Sequence, residues 1–491
     1  MSKSPPELTL PFIRLDKAGS VPMYHQLYES IKRSILEGML KQGERMPSTR
    51  VMAGDLSVSR NCVLLAFEQL ILEGYLHGKA GSGTYVCELP ELPKRNTVPV
   101  KKYIRQAAPV TKDYPLSREI LIRDSQLEPM KPFQTSVPSL EHFPFATWAK
   151  LASNVYRNIR TIHLGYDDAQ GYLPLRKVLA DYLRIHRSIH CSPDQIVIVN
   201  GSRQALHLAI QLLVSKGDLC WTEDPGYHGA KVAITQYGGK ICPVPVTHQG
   251  MDVAYAIQHF PLAKLAYVTP SNQYPMGGTL PLPERLKLLK WAAKQKMWII
   301  EDDYDNEFRY HGRPIPALQS LDRDGTVIYV GTFSKVLFPA LRIGYLVVPS
   351  VAMAEQFKFA KSITDRQNPV IDQAILSEFI AAGHFSRHLR RMRVLYKQRH
   401  DELLMLMDRH LKPYLDVTGV EAGMHIVASL KQRRNMNIII KKALEAGVIL
   451  HNIDDFAMQF KQHNSLMLGF TGFTVPQMTR AVATLQKIMA Q

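Results

Sequence analysis

The sequence predicts an α/β protein in two unequal parts: a winged helix-turn-helix over residues 1–88, and over residues 132–491 a doubly wound sheet with a smaller C-terminal α+β unit. Three observations predict it. Ser48 and Ser59 each stand directly before a short helix-forming run, and the second run leads into a Gly-tipped pair of strand-like segments, YLHGKAGSGTYV. Beyond residue 195, short β-branched runs alternate with amphipathic segments, as in βαβ units. One such run, T-V-I-Y-V at 326–330, ends at Gly331 and is followed by T-F-S-K, which sets Lys335 just past a strand's C-terminal edge. That edge is where open α/β sheets bind ligands.

Composition limits the function classes. With 491 residues, 46% of them apolar, the chain can bury large cores. A formal net charge of +17 favours a polyanionic partner. The first residues, MSKSPPELTL, carry no apolar segment, and no run of 18 or more uncharged apolar residues occurs, so a soluble cytoplasmic protein without a membrane partner is expected. Five cysteines without a CxxC or Cys/His metal spacing argue for a reducing compartment and against a disulfide framework or a zinc site.

In the first part, Tyr24, Leu27, Ile31, Ile35 and Leu36 form a helical stripe within residues 22–40, ended near Gly38. A second helix over 49–56 starts after the cap Ser48. A third, over 60–73, starts after Ser59 and turns Val63, Leu64, Phe67 and Leu70 to a core. Two short helices joined by a tight turn suit a major groove, and the Gly-rich hairpin carrying Lys79 suits a wing. Arg50, Ser59, Arg60 and Asn61, at the helix starts, and Lys79 are the candidate DNA-binding residues. The G-S-G-T run is not read as a phosphate cradle, because the chain continues from it as a strand rather than a helix. A small helical packing module is the other reading of these stripes.

Through G-E-R-M-P-S-T-R, L-S-V-S-R-N, E-Q-L-I-L-E-G-Y and G-K-A-G-S-G-T-Y-V, residues 22–86 resemble the winged helix-turn-helix of the GntR superfamily. Ser57 stands where that pattern usually has Gly, and Cys62 where Thr is usual.

Residues 89–131 are rich in Pro and basic residues, among them Pro90, Pro93, Lys94, Arg95, Lys101 and Lys102, and read as a stiff, extended linker. The large part then brings a strand over 195–199, a turn Asn200-Gly201-Ser202 and a helix, whose first N–H groups, with the Ser202 hydroxyl and Arg203, make an anion site. Strands over 265–269 and 297–301 follow, the second ending in Asp302, Asp303 and Tyr304. The acidic cluster 301–307 lacks the P-loop that a magnesium-nucleotide site would bring. One carboxylate there suits a pyridinium nitrogen instead, and Tyr227 can stack on such a ring. Thr332, Ser334 and Arg342 surround Lys335 with groups that hold a phosphate, and the lysine amine can form a Schiff base with the aldehyde of the same molecule.

The marks G-Y-D-D-A-Q-G-Y-L-P-L-R, N-G-S-R-Q-A-L, E-D-P-G-Y, T-P-S-N-Q-Y-P-M-G, E-D-D-Y-D-N-E-F and T-F-S-K-x6-R-I-G-Y resemble the fold-type I aminotransferases, which use pyridoxal 5′-phosphate. The resemblance implies that Lys335 carries the cofactor, Asp302 partners its ring nitrogen and Tyr304 its ring hydroxyl. Ser202, Ser334 and Arg342 would bind the phosphate, and Tyr166 would reach the neighbouring subunit's cofactor in a homodimer. Arg203 and Asn272 depart from the usual Gln and His. The whole chain is similar to the MocR family of bacterial transcription regulators. This implies a homodimer on a double-stranded DNA operator, and so at the nucleoid, sensing an amine, an amino acid or pyridoxal 5′-phosphate itself. The alternative is a working aminotransferase with an appended DNA-binding domain. Enzymes of this fold hold the substrate carboxylate with an arginine on a C-terminal strand, and the expected strand, residues 465–470, has none. The basic run HFSRHLRRMRVLYKQRH (384–400), with His384 and His388 a turn apart, reads as a solvated helix face or a second DNA track.

Overall fold

The computed structural model describes residues 13, 15–16, 19–79, 81–88, 130–159, 164–310, 315–418, 422–462 and 464–491. The expected linker therefore falls almost wholly outside the described residues. The chain divides into two compact units, one within residues 1–111 and one within 112–491.

In the first unit, α1 (Met23–Leu36), α2 (Thr49–Asp55) and α3 (Arg60–Leu72) precede the hairpin of β1 (Leu76–Lys79) and β2 (Gly83–Val86). The Ser48 hydroxyl accepts from Val51 N–H and the Ser59 hydroxyl from Cys62 N–H, each at 3.2 Å, so both expected N-caps form. The buried stripe of α1 is Leu27, Tyr28, Ile31 and Ile35, whereas Tyr24 and Leu36 are exposed. In α3, Ala66 takes the core position expected of Leu64. At 100° per residue, Ala66 and Phe67 share the face of Val63 and Leu70, and Leu64 lies off it. Ser57, in the turn between α2 and α3, has φ +50°. It adopts the left-handed conformation for which glycine is suited.

The second unit is built on an eight-stranded sheet of order β3-β10-β9-β8-β7-β4-β5-β6. Its strands are β3 (Ile196–Val199), β4 (Leu219–Asp224), β5 (Lys240–Thr247), β6 (Gly250–Met251), β7 (Leu265–Val268), β8 (Trp298–Asp303), β9 (Val327–Thr332) and β10 (Gly344–Val347). The pairs from β5 through β4, β7 and β8 to β9 are parallel, and β10 runs antiparallel between β9 and β3. A four-stranded antiparallel sheet, β11 (Leu415–Thr418), β12 (His425–Leu430), β14 (Ser465–Gly469) and β13 (His451–Asn452), forms the smaller C-terminal element.

Strand β9 does not stop at Gly331. It runs through Thr332, held by the pairs Tyr345↔Gly331 and Gly344↔Thr332. A Cβ at Gly331 would lie 2.3 Å from the Tyr345 ring, so the missing side chain is what lets that ring cross the strand. Strand β8 likewise continues through Asp302 and Asp303, which pair with Val330 and Gly331.

The helix His384–Leu411 corrects a second expectation. His388 is buried with Phe385, Leu389 and Met392, its Nε2 3.1 Å from the Val336 carbonyl, and burial pushes the imidazole down to about 4. Only part of this helix is a solvated basic face, because its apolar side seats on the large core.

A buried tie joins the turn after β4 to the loop before β14. The Asp224 carboxylate accepts from Lys231 Nζ at 2.8 Å and from the N–H groups of Met458, Gln459 and Phe460 at 2.7, 2.6 and 2.9 Å, and Lys231 Nζ also donates to Phe456 O.

Candidate functional site

In the first unit Arg50, Ser59, Arg60, Asn61 and Lys79 are all exposed, the first four at the starts of α2 and α3 and the last at the tip end of β1. Arg60 Nε lies 3.4 Å from Thr49 Oγ1, which ties the two helix starts together. Arg45, which sequence reasoning passed over, is also exposed and pairs through its backbone with Tyr85 of the hairpin. Its signal was its place in G-E-R-M-P-S-T-R, three residues before the Ser48 cap. These cations and hydroxyls suit the phosphate and base edges of DNA.

In the second unit a cavity of about 400 Å³ lies at the C-terminal ends of the parallel strands. Ser202, Arg203, Tyr227, Asp302, Tyr304, Thr332, Ser334, Lys335 and Arg342 all line it. Tyr166 does not. It is 78% exposed, with the Arg366 guanidinium 3.7 Å from its ring centroid.

Each lining residue is placed by its element. Gly344 has no Cβ to meet the Gly201 backbone, which would lie 2.9 Å away, so the turn before the helix Ser202–Leu213 settles on β10. Gly201, at φ +81°, aims that helix's first N–H groups at the cavity, and Arg342 covers the turn by donating from Nη2 to Asn200 O at 2.9 Å. Arg203 adds a second guanidinium, 3.4 Å from the Tyr227 hydroxyl. A helix N-terminus, two arginines and the buried Ser334 hydroxyl, whose oxygen has no hydrogen-bond partner, make an anion site. Lys335 follows directly, its Nζ 3.4 Å from Ser136 O.

Asp302 lines the same cavity. Tyr267 donates to its Oδ2 at 2.8 Å, while Oδ1 is buried with no partner. Burial first, then the Asp303 charge, push this carboxyl up to about 6 against the lowering effects of Tyr267 and Lys335. A buried carboxylate oxygen left open on a cavity wall is costly unless a protonated group meets it. A pyridinium N–H is such a group, and the phosphate, aldehyde and ring of pyridoxal 5′-phosphate fit the anion site, Lys335 and the space between.

The partners of Tyr304 lie far off in sequence. Asn272 Nδ2 donates to the Tyr304 hydroxyl at 3.2 Å and to both oxygens of Asp305 at 2.9 and 3.0 Å. Burial drives the Tyr304 and Asp305 groups well above their ordinary values, which keeps the phenol protonated. Glu223, raised by burial to about 7, accepts from the Thr269 N–H and hydroxyl and from Gln273, and so shapes the T-P-S-N-Q turn. The rest of the acidic run is structural. Glu301 accepts from Leu318 and Gln319 N–H, and Asp303 pairs with Arg187 at 2.8 Å. Among the described residues no group of three or more His, Cys, Asp or Glu is placed to hold a metal ion.

Fold and site define a two-part protein, a winged helix-turn-helix and a ligand domain of the aminotransferase type. Residues 135–485 match the aminotransferase class I and II family, and residues 23–86 the bacterial regulatory proteins of the gntR family. The probable rhizopine catabolism regulatory protein MocR of Rhizobium meliloti is 38% identical over 477 residues, 96% of this chain and 94% of that protein. The pyridoxine biosynthesis transcriptional regulator PdxR of Corynebacterium glutamicum is 32% identical over 449 residues, 91% of each. Among solved structures, the α-aminoadipate aminotransferase LysN of Thermus thermophilus, complexed with N-(5′-phosphopyridoxyl)-L-leucine, matches with TM-score 0.69 at 28% identity, over 75% of this chain and 94% of LysN. Pyrococcus horikoshii kynurenine aminotransferase, in complex with PMP, matches with TM-score 0.69 at 27% identity, over 76% of this chain and 93% of that one. The chain belongs to the MocR family of transcription regulators, in which a GntR-type helix-turn-helix precedes an aminotransferase-like domain.

No helix among the described residues is long and apolar enough to cross a membrane.

Proposed function

We propose that residues 1–88 bind an operator in double-stranded DNA, that residues 89–131 tether them, and that residues 132–491 hold pyridoxal 5′-phosphate on Lys335 and sense an amine, an amino acid or the cofactor itself. The observation that carries this reading is the convergence of Lys335, Asp302 and the Ser202/Arg342 anion site on one cavity, with Asp302 Oδ1 buried and open. The cofactor supplies an aldehyde that condenses with amines and a ring that withdraws electrons.

The chain's own residues do the rest. Arg342, Ser202, Ser334 and the helix N-terminus bind the phosphate, with Arg203 beside them. Lys335 offers its amine to the aldehyde carbon, and Asp302 holds a proton on the ring nitrogen. Tyr304, kept a phenol by its burial and held by Asn272, donates to the ring hydroxyl. Tyr227 closes one wall of the cavity. As a homodimer, the protein would present two winged helices to two half-sites, and Tyr166, exposed in one protomer, would complete its partner's site.

The rival is a working aminotransferase, which the full set of Lys335, Asp302, Tyr304 and Arg342 favours. Against it stands β14, where the strand expected to supply an arginine carries Met467 in a buried apolar cluster. Protein loaded with pyridoxal 5′-phosphate and given amino acids with 2-oxoglutarate or pyruvate is expected to show spectral shifts without repeated turnover. Sustained amino transfer at about one per second or faster would establish the enzyme instead.

A further inference from the structure

Resting on the cofactor reading above, the charge distribution around the cavity says what kind of amine it admits. The cationic residues that line it among those described are Arg203, Lys335 and Arg342. Two of them stand over the start of the helix Ser202–Leu213 and the third is the lysine, so all three are engaged by the cofactor's phosphate and aldehyde. The remaining wall is different. In β14 alternate residues face alternate ways, and Met467 and Gly469 share a face. Gly469 is pressed by the segment that lines the cavity, since a Cβ there would lie 2.1 Å from Gln134 O. Met467, fully buried on the same face, packs with Val427, Ile453 and Phe456 behind Tyr274, which is itself on the cavity wall.

Among the described residues no lysine or arginine pairs beside Met467 or Gly469 on this face. Its imidazoles are His425, opposite Gly469, which burial holds down to about 4 and which lies 2.8 Å from Pro275 O, and His451, opposite Met467 on β13. The acidic groups around it are Asp302 on the wall, Asp305 behind Asn272 and Glu223 behind Thr269, and none offers a cation. A ligand carboxylate brought here would lose its water and find no guanidinium or ammonium to pair with, a costly combination.

We infer that this end of the cavity admits primary amines of uncharged body and rejects amino acids bearing a carboxylate beside the amine, with Met467 as the residue that sets the choice. The amine nitrogen would replace Lys335 Nζ on the cofactor's carbonyl carbon. One C–N bond forms and one breaks, the lysine leaves as its amine, and nothing is oxidised or reduced.

The test uses full-length protein loaded with pyridoxal 5′-phosphate and matched pairs that differ only in the carboxylate: isopentylamine against leucine, and phenethylamine against phenylalanine. Dissociation constants read from the absorption band are expected to favour each amine by roughly tenfold or more. Met467→Arg, or Met467→Lys where the first variant does not retain the band, is expected to reverse the preference. A wild-type ratio near one, a preference for the amino acid, no response to either, or an unchanged ratio in a band-retaining variant overturns this inference alone. Failure of the wild type to form the band at all overturns the cofactor reading beneath it.

Discussion

The two units put charge to opposite uses. In the small unit the candidate DNA-binding side chains are exposed at helix starts and a hairpin end, where water and salt compete with any partner. In the large unit the acidic groups around the cavity are enclosed. Asp302 is 6% exposed, Glu223 2% and Asp305 1%, and each carboxyl is pushed upward by burial. The first arrangement can bind a polyanion quickly and release it as salt rises. The second can discriminate among small molecules, because each unpartnered buried atom demands a matching group.

That contrast breaks first at Lys335. Lys335→Ala is expected to abolish the absorption band of protein reconstituted with pyridoxal 5′-phosphate and its labelling on borohydride reduction, while operator binding by the small unit persists. A band that survives in the variant, or labelling at another residue, removes the cofactor assignment.

Next in size, Asp302 should separate the units by pH. Its folded pKa, about 6, stands above the usual carboxylate value. The folded state therefore keeps the proton longer, and the group's contribution to stability is full below about pH 4 and lost as pH rises to about 6. Cofactor-free Asp302→Asn should gain on wild type through that window, reaching roughly 2–3 kcal/mol above it. Urea unfolding between pH 4.5 and 7.5 measures this, and a difference that does not change with pH would contradict it.

On the exposed side, Arg60→Ala should weaken operator binding by about 1–3 kcal/mol without altering the cofactor band. If the contact is to phosphate, the slope of log affinity against log salt also falls by about one. Unchanged affinity in an anisotropy titration would take α3 out of the groove.

The smallest effect tests the turn. Ser57 has φ +50° and is exposed, so Ser57→Gly should stabilise the small unit by roughly 1 kcal/mol. A lowered melting temperature for that transition would show that the serine side chain makes a contact worth more than its strain.

What the sequence revealed follows the same division. Caps and turns are local, so Ser48, Ser59 and the hairpin were legible from neighbouring residues, and the β-branched runs located β3, β7, β8 and β9. Their ends were not, because Asp302, Asp303 and Gly331 look like strand breakers until β9 and β10 are paired beside them. The cavity residues could be named from motifs, yet their settings could not. Tyr267 meets Asp302 from 35 positions away, Asn272 meets Asp305 from 33, and Glu223 meets Thr269 from 46. Helical stripes misled where two registers fit equally, placing Leu64 inside and His388 outside, and only the partner surface decides such a choice.

The Asp224 tie gives the large unit a mechanical property as well. Three consecutive N–H groups of the 458–460 loop end on one carboxylate, which begins the turn that delivers Tyr227 to the cavity wall. A hydrogen bond tolerates only about 0.5 Å of stretch before it weakens. Wall and loop therefore behave as a linkage with almost no backlash, and a molecule that displaces the tyrosine by more than that small travel must drag the lead-in to β14 with it.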